Sequence, residues 1–530
     1  MLQTKRARRG MVTASHHLAA ESGLAVLREG GNAIEAMVAV AATISVVYPH
    51  MNGLGGDGFW LIHTPGEAAP LAIAGVGAAA GQATPELYRA AGHETIPSRG
   101  PLAANTVAGT VSSWQAALEV SAQWGGRLPL ARLLEDAVTY ARDGYPVTQS
   151  QALNVAADKA ELESVPGWAA IFLDDGAVPQ VGALFKQPAL AESFQALAER
   201  GLDDFYRGAL AKRIAAELSR VGSPLAEADF AAHQARRPAP LEARLSCGRV
   251  FNHPPPTQGL AALLTLGIFD RLGCTAADGF DHIHGLVEAT KKAILQRRRH
   301  VTDPAHMTVD PQALLDPDSL AQLAAEIDRS KAAPWPDPAL PGDTVWLGAV
   351  DGEGRAVSFI HSIYWEFGSA LCLEETGIQW QNRGSSFSLS PEQQNHLQPG
   401  RLPFHTNNPA MALLDDGRVM VYGAMGGEGQ PQTQAAVFTR HVLFGQELQA
   451  AVTAPRWVLA RTWGDPRHDL RLEDRVPVEL VESLRAAGHQ VTLVEPFDEV
   501  MGHAGAIVLH PDGLMEGAND PRCDGLVAAF

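Results

Sequence analysis

Several features that mark common protein classes are missing from this chain. Its 530 residues include only four cysteines, at positions 247, 274, 372 and 523, and their spacing predicts neither a disulfide framework nor a zinc site. The apolar run at residues 36–47 is only about a dozen residues long, fewer than the roughly 20 that cross a bilayer, so we interpret it as a buried helix. Internal repeats and a Gly-x-Ser-x-Gly hydrolase elbow are also missing.

Positive charge is in short supply. Lys and Arg total 41 against 59 Asp and Glu, which leaves a formal net charge of -18 at pH 7. A nucleic-acid partner is therefore not expected, because phosphate binding calls for a basic surface. The arginines at 297–299 form one isolated basic cluster, which we place on the polar side or at the end of a helix.

The sequence predicts neither a metal nor a cofactor. His282, His284 and Glu288 could share one helix face as metal ligands, but a hydrogen-bonded histidine pair at a helix start is the simpler interpretation. The glycine-rich stretch 53–58 follows a helix-like segment and precedes a strand-like one. That order is the reverse of the strand, loop and helix that make a phosphate-binding loop.

The most informative stretch is Gly342-Asp343-Thr344, which follows a proline-rich segment and leads directly into a strand-like run. If the chain is cut before Thr344, that residue acquires a hydroxyl nucleophile and a free amine that can serve as its base. This is the chemistry of an N-terminal nucleophile hydrolase. On these residues alone, a plain linker joining two domains is the more common explanation.

The residues around Thr344 suit such a cut. Residues 330–341 are rich in proline, which removes backbone donors and disfavours helix, so we expect an exposed, extended connector. Residues 345–350 and 355–364 are rich in β-branched and aromatic side chains and flank turn-forming residues, which predicts a β-hairpin. Thr344 would then begin a strand at the edge of a sheet.

A family resemblance runs along most of the chain. Residues 10–63 are similar to the opening of the gamma-glutamyltranspeptidase family, and further matching segments follow in the family's order at compatible spacing. These segments are His253-Pro-Pro-Pro-Thr-Gln-Gly259, His284-Gly-Leu-Val-Glu-Ala289, Asp303-Pro304, Phe367-Gly368, Thr376-Gly-Ile378, Asn408-Pro409 and Gly423-Ala-Met-Gly-Gly427. On these motifs the chain is identified as a member of that family.

The resemblance implies an α+β fold, the four-layer αββα sandwich of the N-terminal nucleophile hydrolases. It also implies a precursor that cleaves itself into a large chain, residues 1–343, and a small chain, residues 344–530, which form one intertwined unit. The Thr344 hydroxyl would attack the Asp343 carbonyl, and water would hydrolyse the resulting ester. The freed α-amine, with a reference pKa of roughly 7.7 to 8.0, could then accept the hydroxyl proton during turnover.

The same resemblance assigns catalytic roles. Gly426 and Gly427 align with the family's glycine pair, whose backbone amides stabilise the oxyanion and where no Cβ blocks the ligand. Outside this alignment, the pair would be interpreted as a turn that ends a strand. Ser362 aligns with the hydroxyl residue that bonds the nucleophile's amine, although a serine in a strand needs no such role.

The residues that recognise glutamate in true gamma-glutamyl enzymes are largely replaced. Arg383 and Ser386 stand where the family has a glutamine and an aspartate, and a cation there should attract a carboxylate or carbonyl rather than an ammonium. His405 and Thr406 replace two serines, and Tyr364 replaces an asparagine. We predict that Arg383 anchors a substrate carboxylate, with an exposed or core-paired arginine as the alternative.

Two further departures concern the pocket. Ala83-Thr84 is followed by Pro85 instead of the arginine that grips the glutamate carboxylate, and the segment 387–405 is shorter than in family members with a long lid. Residues 380–387, which include Asn382, and residues 403–406 resemble the oxamate amidohydrolase-like branch of the family. The candidate substrate-binding residues are Tyr364, Asn382, Arg383, Ser386, His405 and Thr406.

Four functions remain open at this stage. The first is an autoprocessing threonine amidohydrolase that cleaves the amide of a small carboxylate-bearing substrate such as oxamate. The second is a gamma-glutamyltransferase or glutathione hydrolase, and the third is a glutaryl or cephalosporin acylase. The last is an unprocessed, inactive scaffold that keeps the fold for binding.

The expected partners are a small-molecule amide and the two chains of the same precursor, which could pair into a dimer of heterodimers. Residues 5–9 are mostly basic, but no apolar stretch follows them as a secretory signal would require. We therefore expect a cytoplasmic protein without a membrane partner.

Overall fold

A computed structural model describes residues 2–335, 343–459 and 469–530. The later part of the proline-rich connector, Gly342 and the side chain of Asp343 lie outside the described residues. The described part of the connector, residues 330–335, is exposed or half-buried, as the sequence predicts.

The strands run through both halves of the chain. In chain order they are β1 (Lys5–Ala7), β2 (Gly10–Ala14), β3 (Asp57–His63), β4 (Leu71–Gly75), β5 (Tyr145–Pro146), β6 (Leu184–Phe185), β7 (Leu241–Leu245), β8 (Gly248–Asn252), β9 (Asp343–Asp351), β10 (Ala356–Tyr364), β11 (Cys372–Leu373), β12 (Ile378–Gln379), β13 (Ala410–Leu414), β14 (Val419–Ala424), β15 (Trp457–Leu459), β16 (Leu470–Glu473), β17 (Val491–Val494), β18 (Ala504–Leu509), β19 (Met515–Asn519) and β20 (Leu526–Ala529).

The α-helices are concentrated before residue 330. They are α1 (His17–Arg28), α2 (Ala33–Val47), α3 (Pro85–Ala90), α4 (Thr110–Gln123), α5 (Leu130–Asp143), α6 (Gln149–Leu162), α7 (Trp168–Phe172), α8 (Pro188–Arg200), α9 (Asp204–Arg207), α10 (Ala209–Val221), α11 (Glu227–Ala232), α12 (Gly259–Asp270), α13 (Phe280–His300), α14 (Pro317–Ala325), α15 (Gln430–Phe438), α16 (Leu448–Thr453) and α17 (Val478–Ala486).

Two large antiparallel sheets form the centre of the fold. Among the described residues, one sheet has seven strands in the order β1-β19-β18-β14-β13-β8-β7, and the other has six in the order β20-β2-β9-β10-β3-β4. The hairpin β9–β10 is the predicted one, with Leu347 opposite Phe359. The predicted edge position is wrong, because β9 pairs with β2 on one side and with β10 on the other.

The sheets pack face to face, and helices cover their outer faces. The inner core contains Met11, Phe59 and Ile360 from the six-stranded sheet and Met411, Val421 and Ile507 from the seven-stranded sheet. Helices α1, α2 and α4 pack on the six-stranded sheet, and α12 and α15 pack on the seven-stranded sheet. This is the four-layer αββα arrangement, and α2 is buried along its whole length as predicted.

Two glycines allow the sheets to approach each other around one large side chain. A Cβ on Gly423 would lie 2.0 Å, and a Cβ on Gly505 2.5 Å, from ring atoms of Trp346. Trp346 lies on β9 and projects into the core between the sheets. Because side chains alternate along a strand, Thr344 projects to the same side as Trp346, at the end of that core.

Candidate active site

Three neighbouring strands direct polar side chains into the gap between the sheets. Asp57 on β3 precedes the inner-core Phe59 by two residues, Ser362 on β10 follows the inner-core Ile360 by two, and Thr344 precedes Trp346 by two. Ser362 lies directly opposite Asp57 in the sheet, and all three side chains are fully buried. The two-residue period of the strands therefore brings these groups together at one end of the inner core.

The Thr344 hydroxyl is held by two side chains from segments next to the seven-stranded sheet. Its Oγ1 donates to Asn407 Oδ1 at 3.1 Å and accepts from Gln430 Nε2 at 3.3 Å. Asn408 Nδ2 donates to Gln430 Oε1 at 2.9 Å, so the Gln430 amide presents its nitrogen to Thr344. Asn407 precedes β13 and Gln430 begins α15, which places the hydroxyl between the two sheets.

A bulge in β10 shapes the backbone beside Thr344. The register of β10 against β9 shifts between His361 and Tyr364, and Tyr364 then pairs with Asp343. Tyr364 has φ of 85°, a left-handed conformation that is rare for a residue with a side chain. Its N–H donates to Ser362 Oγ at 2.8 Å. Ser362 thus lies beside the start of β9, where the amine of a cleaved chain would begin.

The glycine pair follows β14 and precedes α15. Pairing of β14 with β18 ends at Ala424, and the next residues turn with φ of 120° at Gly426 and 50° at Gly427. Residues with a Cβ are strained at such angles, so glycine is required for this turn. Gly427 lies three residues before Gln430, which contacts the Thr344 hydroxyl.

Arg383 is buried with part of its hydrogen-bonding capacity unused. Its side chain is fully inaccessible to solvent, its guanidinium stacks 3.9 Å from the centre of the Tyr364 ring, and Nη1 donates to Thr406 Oγ1 at 3.2 Å. Within the described residues, Nε and Nη2 have no hydrogen-bond partner. Burial lowers the pKa of Arg383 to about 10, and Tyr364 and Asp57 oppose that shift, so the side chain stays charged at neutral pH.

Asp57 and His405 form a buried pair next to this guanidinium. Asp57 Oδ2 lies 2.8 Å from His405 Nε2, and Oδ1 accepts from the Gly109 N–H at 2.9 Å. Burial raises the pKa of Asp57 to about 7, although Arg383 acts in the opposite direction. Burial and Arg383 hold the pKa of His405 well below its usual value, so His405 is neutral. The pair therefore carries at most one negative charge near neutral pH.

Two of the predicted substrate-binding residues form hydrogen bonds to the backbone of nearby loops. Asn382 Nδ2 donates to the Ser98 carbonyl at 2.9 Å, and its Oδ1 accepts from the Trp365 N–H at 3.1 Å. Ser386 Oγ donates to the Phe404 carbonyl at 3.3 Å and is half-buried. Ser386 lines an open cleft of about 280 Å³, whereas Asn382 is fully buried.

The family of the chain follows from a comparison with known proteins. A family model described as gamma-glutamyltranspeptidase matches residues 19–530. The chain belongs to the gamma-glutamyltranspeptidase family. It is therefore an enzyme of the N-terminal nucleophile class, and the resemblance stated from its motifs is confirmed.

Individual relatives within the family cover nearly the whole chain. The oxamate amidohydrolase proenzyme of Klebsiella pneumoniae subsp. pneumoniae is 55% identical over 98% of this chain and 98% of its own. The glutathione hydrolase-like YwrD proenzyme of Bacillus subtilis is 41% identical over 97% of both chains. The structure of a cephalosporin acylase from Bacillus halodurans superimposes with a TM-score of 0.91 at 34% identity, covering 100% of this chain and 97% of that one.

This family member contains a second buried cluster, away from Thr344. His284, Glu288 and His489 have potential metal-ligand atoms within 4.8 Å of one another. His282 is not part of it, because its ring bonds the Asp278 N–H and Thr439 Oγ1 instead. The Lys291 ammonium lies 2.6 Å from Glu288 and supplies the positive charge that a metal would bring. The four cysteines are all free.

Sequence reasoning missed several residues of the site. Asn407 and Gln430 contact the candidate nucleophile, and Asp57 lies on β3, two strands away from β9 in the same sheet. Asn407 lies in a loop and Gln430 is the first residue of α15, and their approach to β9 depends on packing of the two sheets, which no local pattern reveals. Within the described ranges, no helix combines the length and apolar character needed to cross a membrane.

Proposed function

We propose that this chain is an autoprocessing threonine amidohydrolase that hydrolyses a small amide bearing a carboxylate, with oxamate as the substrate. The relative with 55% identity is named for that substrate, and the buried Arg383 guanidinium provides independent support. The supporting observation is a fully buried guanidinium whose Nε and Nη2 lack partners among the described residues.

Maturation begins at the peptide bond between Asp343 and Thr344. The Thr344 hydroxyl attacks the Asp343 carbonyl carbon, the carbon–nitrogen bond breaks, and the acyl group moves to oxygen as an ester. Water then hydrolyses the ester, which leaves a carboxylate on Asp343 and a free amine on Thr344. This divides the chain into the large chain 1–343 and the small chain 344–530, which stay together as a heterodimer.

Turnover uses the same hydroxyl with the new amine as its base. The amine accepts the hydroxyl proton as Oγ attacks the amide carbon, and the oxyanion forms beside the N–H groups of Gly426 and Gly427. Ammonia leaves with a proton from the ammonium, and an oxalyl ester remains. Water, deprotonated by the amine, hydrolyses that ester to oxalate and restores the hydroxyl. Ser362 positions the amine in this scheme.

Arg383 selects the substrate by its charge. A buried cation without a full set of partners is costly, so an anion that fits beside it gains both charge pairing and hydrogen bonds. The Nε and Nη2 groups lie on one edge of the guanidinium and can bind both oxygens of a carboxylate. Arg132 uses the same edge to bind Glu29 in this chain, at 2.8 and 2.7 Å.

Glutaryl or cephalosporin acylase activity is the second candidate, because the cephalosporin acylase structure superimposes over the whole chain. A glutaryl group also ends in a carboxylate that Arg383 could bind. Glutathione hydrolysis is less well supported, because a cation in the pocket opposes the ammonium of a glutamyl group. An unprocessed scaffold would leave the nucleophile and the glycine pair without a role.

The test is a comparison of kcat/KM for three amides with purified, processed protein. Ammonia release from oxamate, cleavage of a gamma-glutamyl anilide and cleavage of a glutaryl anilide are measured side by side, with Thr344→Ala as the blank. We expect oxamate to be preferred. Preference for the glutaryl anilide would favour the acylase, and preference for the gamma-glutamyl anilide would refute the assigned role of Arg383.

Two further expectations belong to this proposal. The cytoplasmic location and the pairing of two heterodimers stay predictions. Fractionation of cells and light scattering of the processed protein would test them.

A further inference from the structure

Arg297 contacts three residues that lie beside the candidate site in the chain or in space: Gln258, Glu428 and Phe404. It lies in the last turn of α13, and its side chain is almost fully buried. Its Nη1 donates to Gln258 Oε1 at 3.0 Å, its Nη2 forms a close ion pair with Glu428, and its guanidinium lies 5.1 Å from the centre of the Phe404 ring. The predicted position of the cluster at 297–299 at the end of a helix is confirmed, and the Arg297 side chain faces inward.

Gln258 carries this contact to the glycine turn. Its Nε2 donates to the Gly427 carbonyl at 2.7 Å and to the Thr406 carbonyl at 2.6 Å. The orientation of the amide follows from its partners, because an arginine can only donate and a carbonyl can only accept. The reversed amide would place oxygen against two carbonyls and nitrogen against a cation. Arg297 thus sets the direction in which Gln258 donates.

We propose that Arg297 is a positioning residue for the oxyanion-binding turn, which it holds through Gln258 and Glu428. Gly426 and Gly427 have no side chains of their own to hold the turn in place, and glycine has the greatest backbone freedom. The Gly427 carbonyl is bound by Gln258, and the side chain of the next residue is bound by Arg297. Arg297 therefore holds this segment directly through the Glu428 side chain and indirectly through Gln258, which binds the Gly427 carbonyl.

The proposal predicts a specific kinetic signature and deepens the function proposed above. Arg383 is held by stacking on Tyr364 as well as through Thr406, so substrate capture depends less on Arg297 than the turn does. Loss of Arg297 should displace the Gly427 N–H from the developing oxyanion. A displacement of about 1 Å in a catalytic group can lower the rate on the order of 100-fold. The loss should appear in kcat and leave KM nearly unchanged.

The experiment uses processed, full-length Arg297→Gln and Arg297→Lys, with Arg299→Gln as the matched control. Arg299 lies two residues along the same helix and is exposed. We expect Arg297→Gln to lower kcat on the order of 100-fold with KM within about threefold of wild type. Arg297→Lys should lose less, because a lysine keeps the charge near Glu428 but cannot form the same two-sided contact. Arg299→Gln should match wild type.

A companion variant covers the case in which Arg297→Gln does not fold. Glu428→Gln keeps the shape of the side chain and removes only its charge, so it should fold and lower kcat by a smaller factor without raising KM. A folded Arg297→Gln variant with wild-type kcat, or with its loss confined to KM, would overturn the proposal. So would a Glu428→Gln loss confined to KM.

The outcome for Arg297 can be separated from the outcome for the substrate. The same variants are assayed on oxamate and on both anilides, and the factor lost in kcat is compared on whichever amide the wild type cleaves. A wild type inactive on oxamate but active on an anilide would refute oxamate as the substrate without bearing on Arg297, and the expected kcat loss would then be measured on that anilide. A wild type that cleaves none of the three would overturn both proposals.

Discussion

The two halves of the candidate site differ in charge. The nucleophile half is built from neutral groups and consists of Thr344, Ser362, Asn407, Gly426, Gly427 and Gln430. The recognition half is buried just as deeply but contains ionisable groups, and it consists of Asp57, Tyr364, Arg383, His405 and Thr406. A neutral hydrogen bond loses little when buried, whereas a buried charge demands a partner. The nucleophile half is therefore suited to positioning the reacting groups, and the recognition half is suited to selecting a charged substrate.

Substitutions in the two halves should therefore change different kinetic properties. Altering the nucleophile half should lower kcat or prevent cleavage whatever the substrate. Altering the recognition half should change the choice between charged and neutral substrates and the response to pH. The variants below test whether the two halves can be separated in this way.

The largest effect is expected at Thr344. Thr344→Ala removes the hydroxyl that attacks both the Asp343 carbonyl and the substrate, so we expect neither self-cleavage nor turnover. Thr344→Ser keeps a hydroxyl and should still cleave. Mass spectrometry after prolonged incubation gives the result directly, as one intact mass for the alanine variant and two chains for wild type. Two chains from Thr344→Ala would contradict the nucleophile assignment.

A smaller loss is expected when the glycine turn is strained. Gly426 has φ of 120°, so Gly426→Ala should displace the N–H groups of the turn. Loss of one oxyanion donor typically lowers kcat roughly 100- to 1,000-fold, which corresponds to about 2.7 to 4 kcal/mol. Steady-state kinetics on the processed variant would measure this loss.

Gly513 provides a control for strain alone. It has φ of 83° in an exposed turn, and a Cβ there would meet nothing within 4 Å. Gly513→Ala should therefore carry a comparable backbone penalty and leave kcat unchanged. An equal fall in kcat for both alanine variants would mean that global strain, rather than oxyanion binding, explains the effect.

The recognition half should respond to substrate charge. Arg383→Gln removes the cation, so kcat/KM for oxamate should fall by roughly 10- to 100-fold, the value of a hydrogen bond to a charged group. Oxamide has a neutral amide in place of the carboxylate. The variant and wild type should therefore cleave oxamide with similar kcat/KM. An equal loss on oxamate and oxamide would place Arg383 in the nucleophile half.

The parts of the fold that could be predicted from sequence are those whose contacts join residues close together in the chain. The hairpin β9–β10 was predictable because residues rich in β-branched and aromatic side chains flank a tight turn within one short stretch. The position of β9 within its sheet was not, because its partner β2 comes from the other end of the chain. The prediction of an edge strand failed for that reason.

The site shows the same limit. Arg297 could have been placed inward, since the buried Ala293 and Ile294 lie four and three residues before it on the same helix face. Asp57 lies in the glycine-rich stretch 53–58, whose pattern first suggests a phosphate-binding loop and gives no sign of a buried carboxylate. Its partner His405 lies far along the chain, and no pattern links the two before the sheets are packed.

The effect expected on stability rather than on activity concerns pH and the Asp57–His405 pair. Burial raises the pKa of Asp57 from 3.8 to about 7, so folding takes up a proton between about pH 4 and 7. Burial, with Arg383 and His253, holds the pKa of His405 well below 6.5, so folding releases a proton below about pH 6.5. In the intact pair these two exchanges largely cancel, and the free energy of unfolding should depend little on them.

Removing either partner should expose the pH dependence that the other gives to the free energy of unfolding. The two variants should show slopes of opposite sign. In His405→Gln, Asp57 remains, and because the folded state binds the extra proton the free energy of unfolding should fall as pH rises from about 4 to 7, relative to wild type. In Asp57→Asn, His405 remains neutral when folded, so the free energy of unfolding should rise with pH up to about 6.5. Each slope can reach about 1.4 kcal/mol per pH unit. Denaturant unfolding at several pH values, with every variant in the uncleaved Thr344→Ala background so that chain separation plays no part, measures both. Parallel slopes would mean that the recognition half does not exchange protons on folding and that its difference from the nucleophile half is geometric only.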